Sequence, residues 1–436
     1  MSGRFWAPAT SLSLLLLAGC SDDSTAAPAP SSQVLSVDTF NLYLAGSFSP
    51  HEAERRQPII DAIASMETDI VCLQEVWRDS DKDAIAAAAK ARFPYAVSFK
   101  TTLDTPLDDP TDQNGQIPPA PTEAPCAQTT QKDKLINVIN CVQQKCSTIP
   151  GSQQGMTTST ECVIAECITE ATALLYGDPN TATADRKCYG CAATLLPTDT
   201  FQQMLETCTT NKNAGLAFDG QSGVMILSKF PLQNVEQRVI PGTWNRRTIL
   251  RATANLPSGV AVDVYCNHLP SVFYQPAFPY TGEYGMGETD YKGWQNELML
   301  DAQKLIAWVE SKSGSNKAIV LGDFNASPEL KDQGIEPDGA DAYAYLASKL
   351  TEAVPAGFKP ACTYCGKTTN PLAGPNGPNT WIDHVFIRNI PVSDVISTAR
   401  TFVDPVVQVA SDAGAGTAKL PLSDHYGVHT VINIQP

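Results

Sequence analysis

Residues 317–325 read Lys-Ala-Ile-Val-Leu-Gly-Asp-Phe-Asn, an apolar run that ends in the motif GDFN. The run 317–321 is typical of a buried β-strand, and the motif places Asp323 and Asn325 directly after it. Gly322 and Asn325 also suit an ordinary turn, so this motif alone does not establish a site. Five further motifs have the same arrangement: FNLY (40–43), LQE (73–75), NHL (267–269), IDH (382–384) and SDH (423–425).

Strands that converge at one sheet edge would bring the polar residues of these motifs together. The set contains amides, carboxylates and imidazoles: Asn41, Glu75, His268, Asp323, Asn325, Asp383, Asp424 and His425. Such a set suits metal-assisted hydrolysis of a phosphate ester. Each residue alone has an ordinary structural explanation, but their joint presence in this order favours a functional site.

The composition describes a globular protein with a sizeable core. The chain has 436 residues, of which 43% are hydrophobic and 17% charged, enough for one large domain or two ordinary ones. The net charge of −16 argues against a strongly basic nucleic-acid binder and against tight docking on an anionic bilayer. A bound divalent metal would supply local positive charge and weakens the first argument.

The N-terminus predicts export. Arg4 precedes an apolar run, 12–18, that is too short to span a bilayer, and the run ends in Leu17-Ala18-Gly19-Cys20. This tetrad resembles a bacterial lipobox, which implies a signal peptide over 1–20 and a lipid anchor on Cys20. Residues 21–33 have the composition of a flexible tether. We expect a lipoprotein of the cell envelope or cell surface; the alternative is an ordinary cleaved signal with a coincidental Cys.

Cysteine usage supports the same prediction. Of 13 cysteines, Cys20 is set aside for lipidation, which leaves 12, an even number, as expected for disulfides in an oxidising compartment. Eight lie between 126 and 208, and two hexads there, 141–146 and 162–167, have cysteines five residues apart. Such cysteines cannot share one helix face, so each pair spans a helix end or serves two partners.

The remaining cysteines leave alternatives open. Cys72 and Cys266 lie in predicted strands and are either buried free thiols or one bond between adjacent strands. Two C-x-x-C motifs, at 188–191 and 362–365, have spacing compatible with a zinc site, but disulfides are the better prediction for an exported chain.

Apolar patterning predicts strands that alternate with helices. The predicted strands are 34–41, 69–76, 93–99, 223–228, 247–255, 260–267, 317–321, 381–388 and 426–434. The predicted helices are 51–66, 81–92 and 294–312. This order suggests two sheets flanked by helices. The Cys-rich segment 101–215 interrupts the pattern and is predicted to be a helical insertion.

In this order the motifs resemble those of the endonuclease/exonuclease/phosphatase superfamily, with its deoxyribonuclease I-like fold. The resemblance covers 34–99 and 222–434. LQEVW (73–77), GVMILSKFP (223–231) and SDHYGV (423–428) look most like secreted bacterial sphingomyelinases. The resemblance implies an α+β fold, a four-layer α/β/β/α sandwich with the site at one end. The domain would span 34–436, interrupted by the insertion.

The resemblance and the chemistry of the side chains imply the metal ligands. Glu75 would bind the divalent metal, Asn41 would lie beside it, and Asp424 would complete the metal or water shell. Mg²⁺ is the expected cation, with Mn²⁺ or Ca²⁺ as alternatives.

The same reasoning implies the catalytic roles. His425 would be the general base, with Asp383 fixing its tautomer. His268 would contact a phosphate oxygen or protonate the leaving group, and its partner acid is not assigned. Asp323 would position the attacking water, and Asn325 would donate to the developing charge on the phosphoryl oxygens.

Other residues have two interpretations. His384 is predicted to be a neighbour rather than a participant. Arg246, Arg247 and Arg251 are candidates to meet phosphate, but Arg247 and Arg251 alternate on a strand and have its solvated face as the alternative. The aromatic segment 273–294 either faces substrate or membrane, or packs as a cover over the sandwich. Asp219-Gly220 has no assigned role.

These observations predict a Mg²⁺-dependent phosphodiester hydrolase, exported, lipid-anchored and monomeric. A phospholipase C-type attack on sphingomyelin or a similar phospholipid is favoured over nucleic acid, because basic residues are sparse. The alternatives are a secreted nuclease using the same site, and a non-catalytic surface-binding lipoprotein in which the Cys-rich segment does the binding.

Overall fold

The computed structural model describes residues 31–146, 159–176, 180–196, 198–274, 278–366, 368–374, 377–410 and 416–436. The predicted signal peptide with Cys20 and most of the predicted tether lie outside these residues. The end of the tether is described, and Gln33 already belongs to the first strand.

Fourteen strands are described. They are β1 (Gln33–Leu44), β2 (Ile70–Val76), β3 (Tyr95–Val97), β4 (Met225–Ser228), β5 (Leu232–Ile240), β6 (Arg247–Asn255), β7 (Ala261–His268), β8 (Ala318–Asp323), β9 (Thr351–Glu352), β10 (Asp383–Arg388), β11 (Val395–Thr401), β12 (Val407–Ala410), β13 (Thr417–Leu420) and β14 (Gly427–Ile434). The first sheet has the order β11-β14-β1-β2-β4-β3, and the second β5-β6-β7-β8-β10-β9. Strands β12 and β13 pair only with each other.

Nine helices are described. They are α1 (Glu52–Ser65), α2 (Asp79–Ala89), α3 (Thr129–Lys145), α4 (Ser159–Glu166), α5 (Ile168–Tyr176), α6 (Ala182–Leu195), α7 (Phe201–Thr210), α8 (Tyr291–Ser313) and α9 (Ala340–Lys349). Helices α1 and α2 pack on the outer face of the first sheet, and α8 and α9 on the outer face of the second. The predicted α+β sandwich of two sheets flanked by helices is confirmed.

Both sheets are apolar on both faces, because each lies between its helices and the other sheet. In β1, Leu35 and Val37 point between the sheets, whereas Phe40 and Leu42 face α1. This two-residue alternation continues to Thr39 and Asn41, which also point inward. The inner face therefore changes from apolar to polar towards the end of β1, where the candidate site lies. Truncating one inner leucine or isoleucine to alanine would cost about 2–5 kcal/mol.

The prediction that 381–388 and 426–434 are the last two strands is incomplete. Strand β11 was not predicted, nor were β5, β12, β13 and helix α9. Strands β5 and β11 lie at sheet edges and are largely exposed, so they lack the apolar alternation from which strands are predicted. The predicted strand 93–99 is shorter in the structure, Tyr95–Val97.

The Cys-rich segment forms five helices, α3 to α7, as the predicted helical character requires. The chain leaves from β3 and returns to β4, which pair with each other in the first sheet. Four disulfides hold the segment: Cys126–Cys188, Cys141–Cys167, Cys146–Cys162 and Cys191–Cys208. The second and third are nested around the end of α3, where Cys146 caps the helix. Both hexads thus span a helix end, as their spacing required.

Two further disulfides settle the remaining alternatives. Cys72–Cys266 joins β2 of the first sheet to β7 of the second, so the free-thiol alternative is excluded. The predicted bond is present, but it joins facing sheets and not adjacent strands. Both side chains point between the sheets, and the bond crosses that interface. Cys362 pairs with Cys365, and the zinc interpretation of the C-x-x-C motifs is excluded because all four cysteines are in disulfides. In the described part of the chain, no helix combines the length and apolarity that a membrane span requires.

Candidate active site

Three predicted site residues lie in one row across the second sheet. In the parallel pair β7–β8, His268 is in register with Asp323, and in the antiparallel pair β8–β10, Asp323 is in register with Asp383. The sequence places each at a strand terminus, and the strand directions bring these termini to the same edge. Gly322 permits the row, because a Cβ there would lie 2.1 Å from the Asn267 carbonyl oxygen. The glycine of GDFN is thus required for close approach of β7 and β8.

The first sheet contributes Asn41 and Glu75 from the neighbouring parallel strands β1 and β2. Plain alternation would point Glu75 away from Asn41, towards the outer face. The β1–β2 register shifts between Asn41 and Leu44, and Glu75 has a left-handed φ of 54°. This irregularity re-aims the carboxylate inward, where it accepts a 3.1 Å hydrogen bond from the Asn41 amide.

Asp383 and His425 form a close carboxylate–imidazole pair. His425 lies just before β14, which runs antiparallel to β1 and so begins at the same edge. Its Nδ1 is 2.8 Å from Asp383 Oδ2, and both side chains are buried. The Asp383 backbone N–H donates to the Thr363 hydroxyl, which fixes the start of β10. A carboxylate on Nδ1 leaves Nε2 as the nitrogen that faces the centre of the site.

Asp323 lies at the centre. Its Oδ2 accepts a 2.9 Å hydrogen bond from Asn41 and is 3.5 Å from His268 Nε2 and 3.9 Å from His425 Nε2. Its Oδ1 accepts from the Asn325 backbone N–H. Burial, reinforced by the charge of Asp383, raises the pKa of Asp323 to about 7. The imidazole of His268, at the end of β7, and that of His425, just before β14, thus flank one carboxylate oxygen of Asp323.

The two histidines have opposite electrostatics. Burial lowers the pKa of His268 well below its usual value, and the positive charge of Arg247 adds to this. Burial also disfavours charge on His425, but the carboxylates of Asp383 and Asp424 outweigh it and raise its pKa well above the usual value. Two imidazoles with separated pKa values are suited to different proton-transfer roles.

The donor set fits a divalent cation. Burial raises the pKa of Asp424 to about 7, and the nearby charge of Glu75 contributes. Glu75 and Asp424 therefore have too little positive charge beside them to stay ionised together, and a cation would supply it. Hard carboxylate oxygens are the ligands that Mg²⁺ prefers. Ligand atoms of Asp323, Asp383 and His425 lie within 4.8 Å of one another, which makes a second possible group. The Asp383–His425 hydrogen bond already occupies atoms of that group, so we favour the acids around Glu75.

The hydrogen bonds of Asn41 and Asn325 show which of their amide atoms face the site. Asn41 Oδ1 accepts from the Tyr43 backbone N–H, so its NH₂ group, not its oxygen, faces Glu75 and Asp323. In this orientation the Asn41 NH₂ group bridges the two carboxylates, and the place of Asn41 in the metal site stays a prediction. Asn325 donates to the Leu269 carbonyl oxygen and accepts from Ser271, which leaves one amide hydrogen for a substrate.

Burial decides between the two interpretations of His384 and of the arginines. His384 is buried between Glu352 and the Ala326 carbonyl oxygen, and its side chain makes no hydrogen bond to His268, Asp323 or Asp383 among the described residues. The solvated-face interpretation of the arginines is wrong, because all three are at most 6% exposed. Arg251 pairs with Asp263 at 2.8 Å, and Arg246 donates to the Thr102 carbonyl oxygen.

Arg247 is the arginine that faces the site. Its guanidinium lies 5.8 Å over the Trp77 ring, and Trp77 packs against His268. Its electrostatic neighbours include Glu75 and Asp323. Its Nε and Nη1 are buried without a hydrogen-bond partner among the described residues, so they are available to an anion. Asp219, by contrast, is exposed on a 3₁₀ turn outside the cluster.

Three residues of the site were not predicted. Tyr43 is half-buried near Asp424 and Glu75, and Arg55 donates to the Tyr43 and Leu422 carbonyl oxygens. The Tyr364 ring is tilted against that of His425, with centroids 5.4 Å apart. Tyr43 has a left-handed φ of 50°. FNLY contained the signal for Tyr43, but Arg55 lies in a helix and Tyr364 in a loop, where no local pattern marks them.

The aromatic segment 273–294 is mostly a packed cover. Tyr280 and Trp294 are buried, and Trp294 belongs to α8. Glu297 of the same helix accepts a hydrogen bond from the Tyr280 hydroxyl. Phe273 and Phe278 are partly exposed, stack on each other at 5.1 Å and contact Trp244. The described part of the segment therefore packs as a cover, and a role of its partly exposed aromatic pair towards substrate or membrane stays a prediction.

Comparison with known proteins identifies a family. The sequence matches the Endonuclease/Exonuclease/phosphatase family over residues 39–425. A comparison with curated proteins finds no match.

Solved structures share the fold. SmcL is 12% identical, with 92% of this chain and 99% of that chain covered and a TM-score of 0.50. A mutant beta toxin from Staphylococcus aureus with bound magnesium ions is 12% identical, with 91% and 99% covered and a TM-score of 0.50. Sphingomyelinase C from Streptomyces griseocarneus is 16% identical, with 92% and 100% covered and a TM-score of 0.49. At these identities the likeness extends to the fold alone.

Proposed function

The chain belongs to the Endonuclease/Exonuclease/phosphatase family, and on that premise we propose that it is a Mg²⁺-dependent phosphodiester hydrolase that attacks phospholipid. The observation that carries the proposal is the placement of Asp323 between two imidazoles, one of them held by Asp383. This is an arrangement for moving protons on both sides of a phosphoryl group.

The position of each residue in the site gives its role in the proposed reaction. His425, oriented by Asp383, accepts the proton of the attacking water at Nε2. Asp323 accepts a hydrogen bond from that water, because its Oδ2 is 3.9 Å from the same nitrogen. His268, kept neutral, and Arg247 donate to the phosphoryl oxygens, together with the free amide hydrogen of Asn325. His268 also lies where the leaving oxygen would take a proton.

Glu75 and Asp424 would hold the cation, with Asn41 fixing the Glu75 carboxylate. When bound, a divalent cation draws charge from the phosphoryl oxygens and offsets the carboxylate field that keeps His425 protonated. Carboxylate ligands suit Mg²⁺, and also Mn²⁺ or Ca²⁺.

Phospholipid is favoured over nucleic acid by charge and by surface chemistry. The net charge is −16, and Arg246, Arg247 and Arg251 are buried rather than spread along a groove. Phe273 and Phe278 offer an apolar surface in the segment that follows His268. Such rings are suited to the interface between a lipid headgroup and its chains.

Export through the secretory route accounts for the covalent structure. All 12 cysteines outside the N-terminal segment are paired, which is typical of an oxidising compartment. We propose that Cys20 carries a lipid anchor, that residues 21–33 tether a monomeric enzyme to the membrane, and that 101–215 is an insertion in the catalytic domain.

The test uses the soluble chain that begins after Cys20, with sphingomyelin, phosphatidylcholine and plasmid DNA, each with Mg²⁺ or with EDTA. We expect Mg²⁺-dependent release of phosphocholine. His425→Ala should abolish it, whereas His429→Gln, which changes a histidine paired with Asp38 on β14, should not. Nicking of DNA alone would establish the nuclease instead. Folded, metal-loaded protein that is inactive on all three would favour the non-catalytic binding protein.

A further inference from the structure

An apolar cavity lies inside the Cys-rich insertion. Helices α3 to α7 enclose it, and its walls include Leu135, Val142, Leu174, Ala192, Leu196 and Met204. Its volume is about 60 Å³. Among the described residues, no charged side chain lines it, and Tyr189 is the one polar side chain. A cavity without charged groups selects for an apolar ligand.

Two walls of the cavity come from the sandwich rather than from the insertion. Phe48 lies just after β1, which carries Asn41, and Phe278 lies in the segment that follows His268. The Tyr43 hydroxyl donates a 2.7 Å hydrogen bond to the Phe48 carbonyl oxygen. Tyr43 itself is among the side chains next to Glu75 and Asp424. One wall of the cavity is therefore tied directly to the site.

Apolar contacts continue from the cavity wall to a catalytic imidazole. Phe48 packs on a cluster that contains Trp77 and Phe218, and these two rings stack with centroids 5.2 Å apart. The Trp77 ring lies 5.8 Å from His268. On the other side, helix α6 touches the aromatic segment, because a Cβ at Gly190 would lie 2.9 Å from the Thr281 hydroxyl.

We propose that this cavity binds an acyl chain of the lipid whose phosphodiester lies at the catalytic cluster. The inference rests on the proposed function, and it adds that the Cys-rich insertion selects substrates by their hydrocarbon part. A lipid is the ligand that suits both places: its headgroup would lie at the acids and histidines, and the end of its hydrocarbon chain in the insertion. Each methylene that becomes buried improves binding by up to about fourfold.

The kinetic test compares single-chain phosphocholine lipids of increasing chain length, all below their micellar concentration. Wild-type kcat/KM should rise with chain length. Ala192→Phe, which fills the cavity from α6, should flatten the rise and leave hydrolysis of p-nitrophenyl phosphocholine unchanged. Ala173→Phe adds the same ring at an exposed position of α5 and is the matched control. An equal rise with chain length in wild type and in Ala192→Phe would overturn the proposal.

A binding test separates failure of the cavity from failure of the enzyme activity. The probe is cis-parinaric acid, a fluorescent fatty acid, added to wild type, His425→Ala, Ala192→Phe and Ala173→Phe. Binding by all except Ala192→Phe supports the cavity even if no phospholipid is cleaved, in which case only the proposed function fails. Equal binding by all four overturns the cavity.

One further measurement keeps the proposal testable if Ala192→Phe does not fold. A photoactivatable fatty acid is crosslinked to the wild-type chain, and the modified peptides are mapped. Crosslinks on α3 or α6 support the proposal, and crosslinks confined to other parts of the chain overturn it.

Discussion

The sandwich and the Cys-rich insertion are stabilised in different ways. The cluster between the two sheets contains 23 buried residues, of which only Cys72 and Cys266 are cysteines. The two clusters of the insertion contain ten and five buried residues, and eight of these fifteen are paired cysteines. A small helical segment buries too little apolar surface to hold itself together, and disulfides supply the difference. The sandwich holds the chemistry rigidly, whereas the insertion can keep an internal cavity because covalent bonds hold its walls.

The largest effect is expected in the sandwich, at Asp383. Asp383→Asn should lower hydrolysis of p-nitrophenyl phosphocholine about 10²–10⁴-fold, because His425 loses the carboxylate that orients it. The melting temperature should stay close to that of the wild type. Steady-state kinetics and thermal unfolding check both expectations. Full activity in this variant would show that the Asp383–His425 pair is structural.

The next effect belongs to the insertion alone. Replacing Cys141, Cys167, Cys146 and Cys162 by Ser removes the nested pair, at a cost of about 2–4 kcal/mol for each bond. Limited proteolysis should then cut within 129–176, while hydrolysis of the small substrate persists. Loss of that activity together with the insertion would mean that the two regions fold as one unit.

A smaller effect is expected for the bond that crosses the sandwich. Cys72→Ala with Cys266→Ala should lower the free energy of unfolding by about 2–4 kcal/mol, because a long loop is released in the unfolded chain. The apolar residues around the bond should preserve the native packing and the activity. Urea unfolding followed by tryptophan fluorescence measures the change. Loss of the fold on removing this one bond would show that the sandwich, like the insertion, depends on disulfides for its stability.

The smallest effect concerns pH. Burial disfavours charge on His384, but Glu352 outweighs it and raises the pKa above 6.5, so the pair stabilises the fold at low pH and less as the pH rises through that raised pKa. Glu352→Gln should remove this dependence. The melting temperatures of wild type and variant should differ by less than about 4 °C at low pH and converge as the pH rises above the raised pKa of His384. Parallel curves would show that His384 stays neutral throughout.

The sequence predicted the parts of the fold in which burial leaves a pattern. Buried strands such as β2 and β8 were found, and so were the polar residues at their termini, since a turn or a strand end follows each run. Edge strands β5 and β11 were missed because their exposed faces lack alternation. The register that aligns His268, Asp323 and Asp383 depends on pairing between distant segments, which no local pattern contains.

The disulfide pairing and the burial of the arginines could not be predicted from local sequence either. Residue spacing showed that the hexads could not pair on one helix face, but not which cysteines meet. Arg247 and Arg251 alternate along β6 as solvated residues would, yet Trp77 and Asp263 cover them. Whether a strand face is exposed is decided by what packs on it from elsewhere in the chain. Tyr364 was missed for the same reason.

The measurement that tests the central claim most directly is a Mg²⁺ titration of p-nitrophenyl phosphocholine hydrolysis by EDTA-treated protein, run on wild type and Glu75→Gln. The account predicts no activity without metal, saturable recovery in the wild type, and recovery in Glu75→Gln only at much higher Mg²⁺. Full activity of the EDTA-treated wild type, or identical titration curves for the two proteins, would contradict the claim that the strand ends of both sheets build one metal-dependent site.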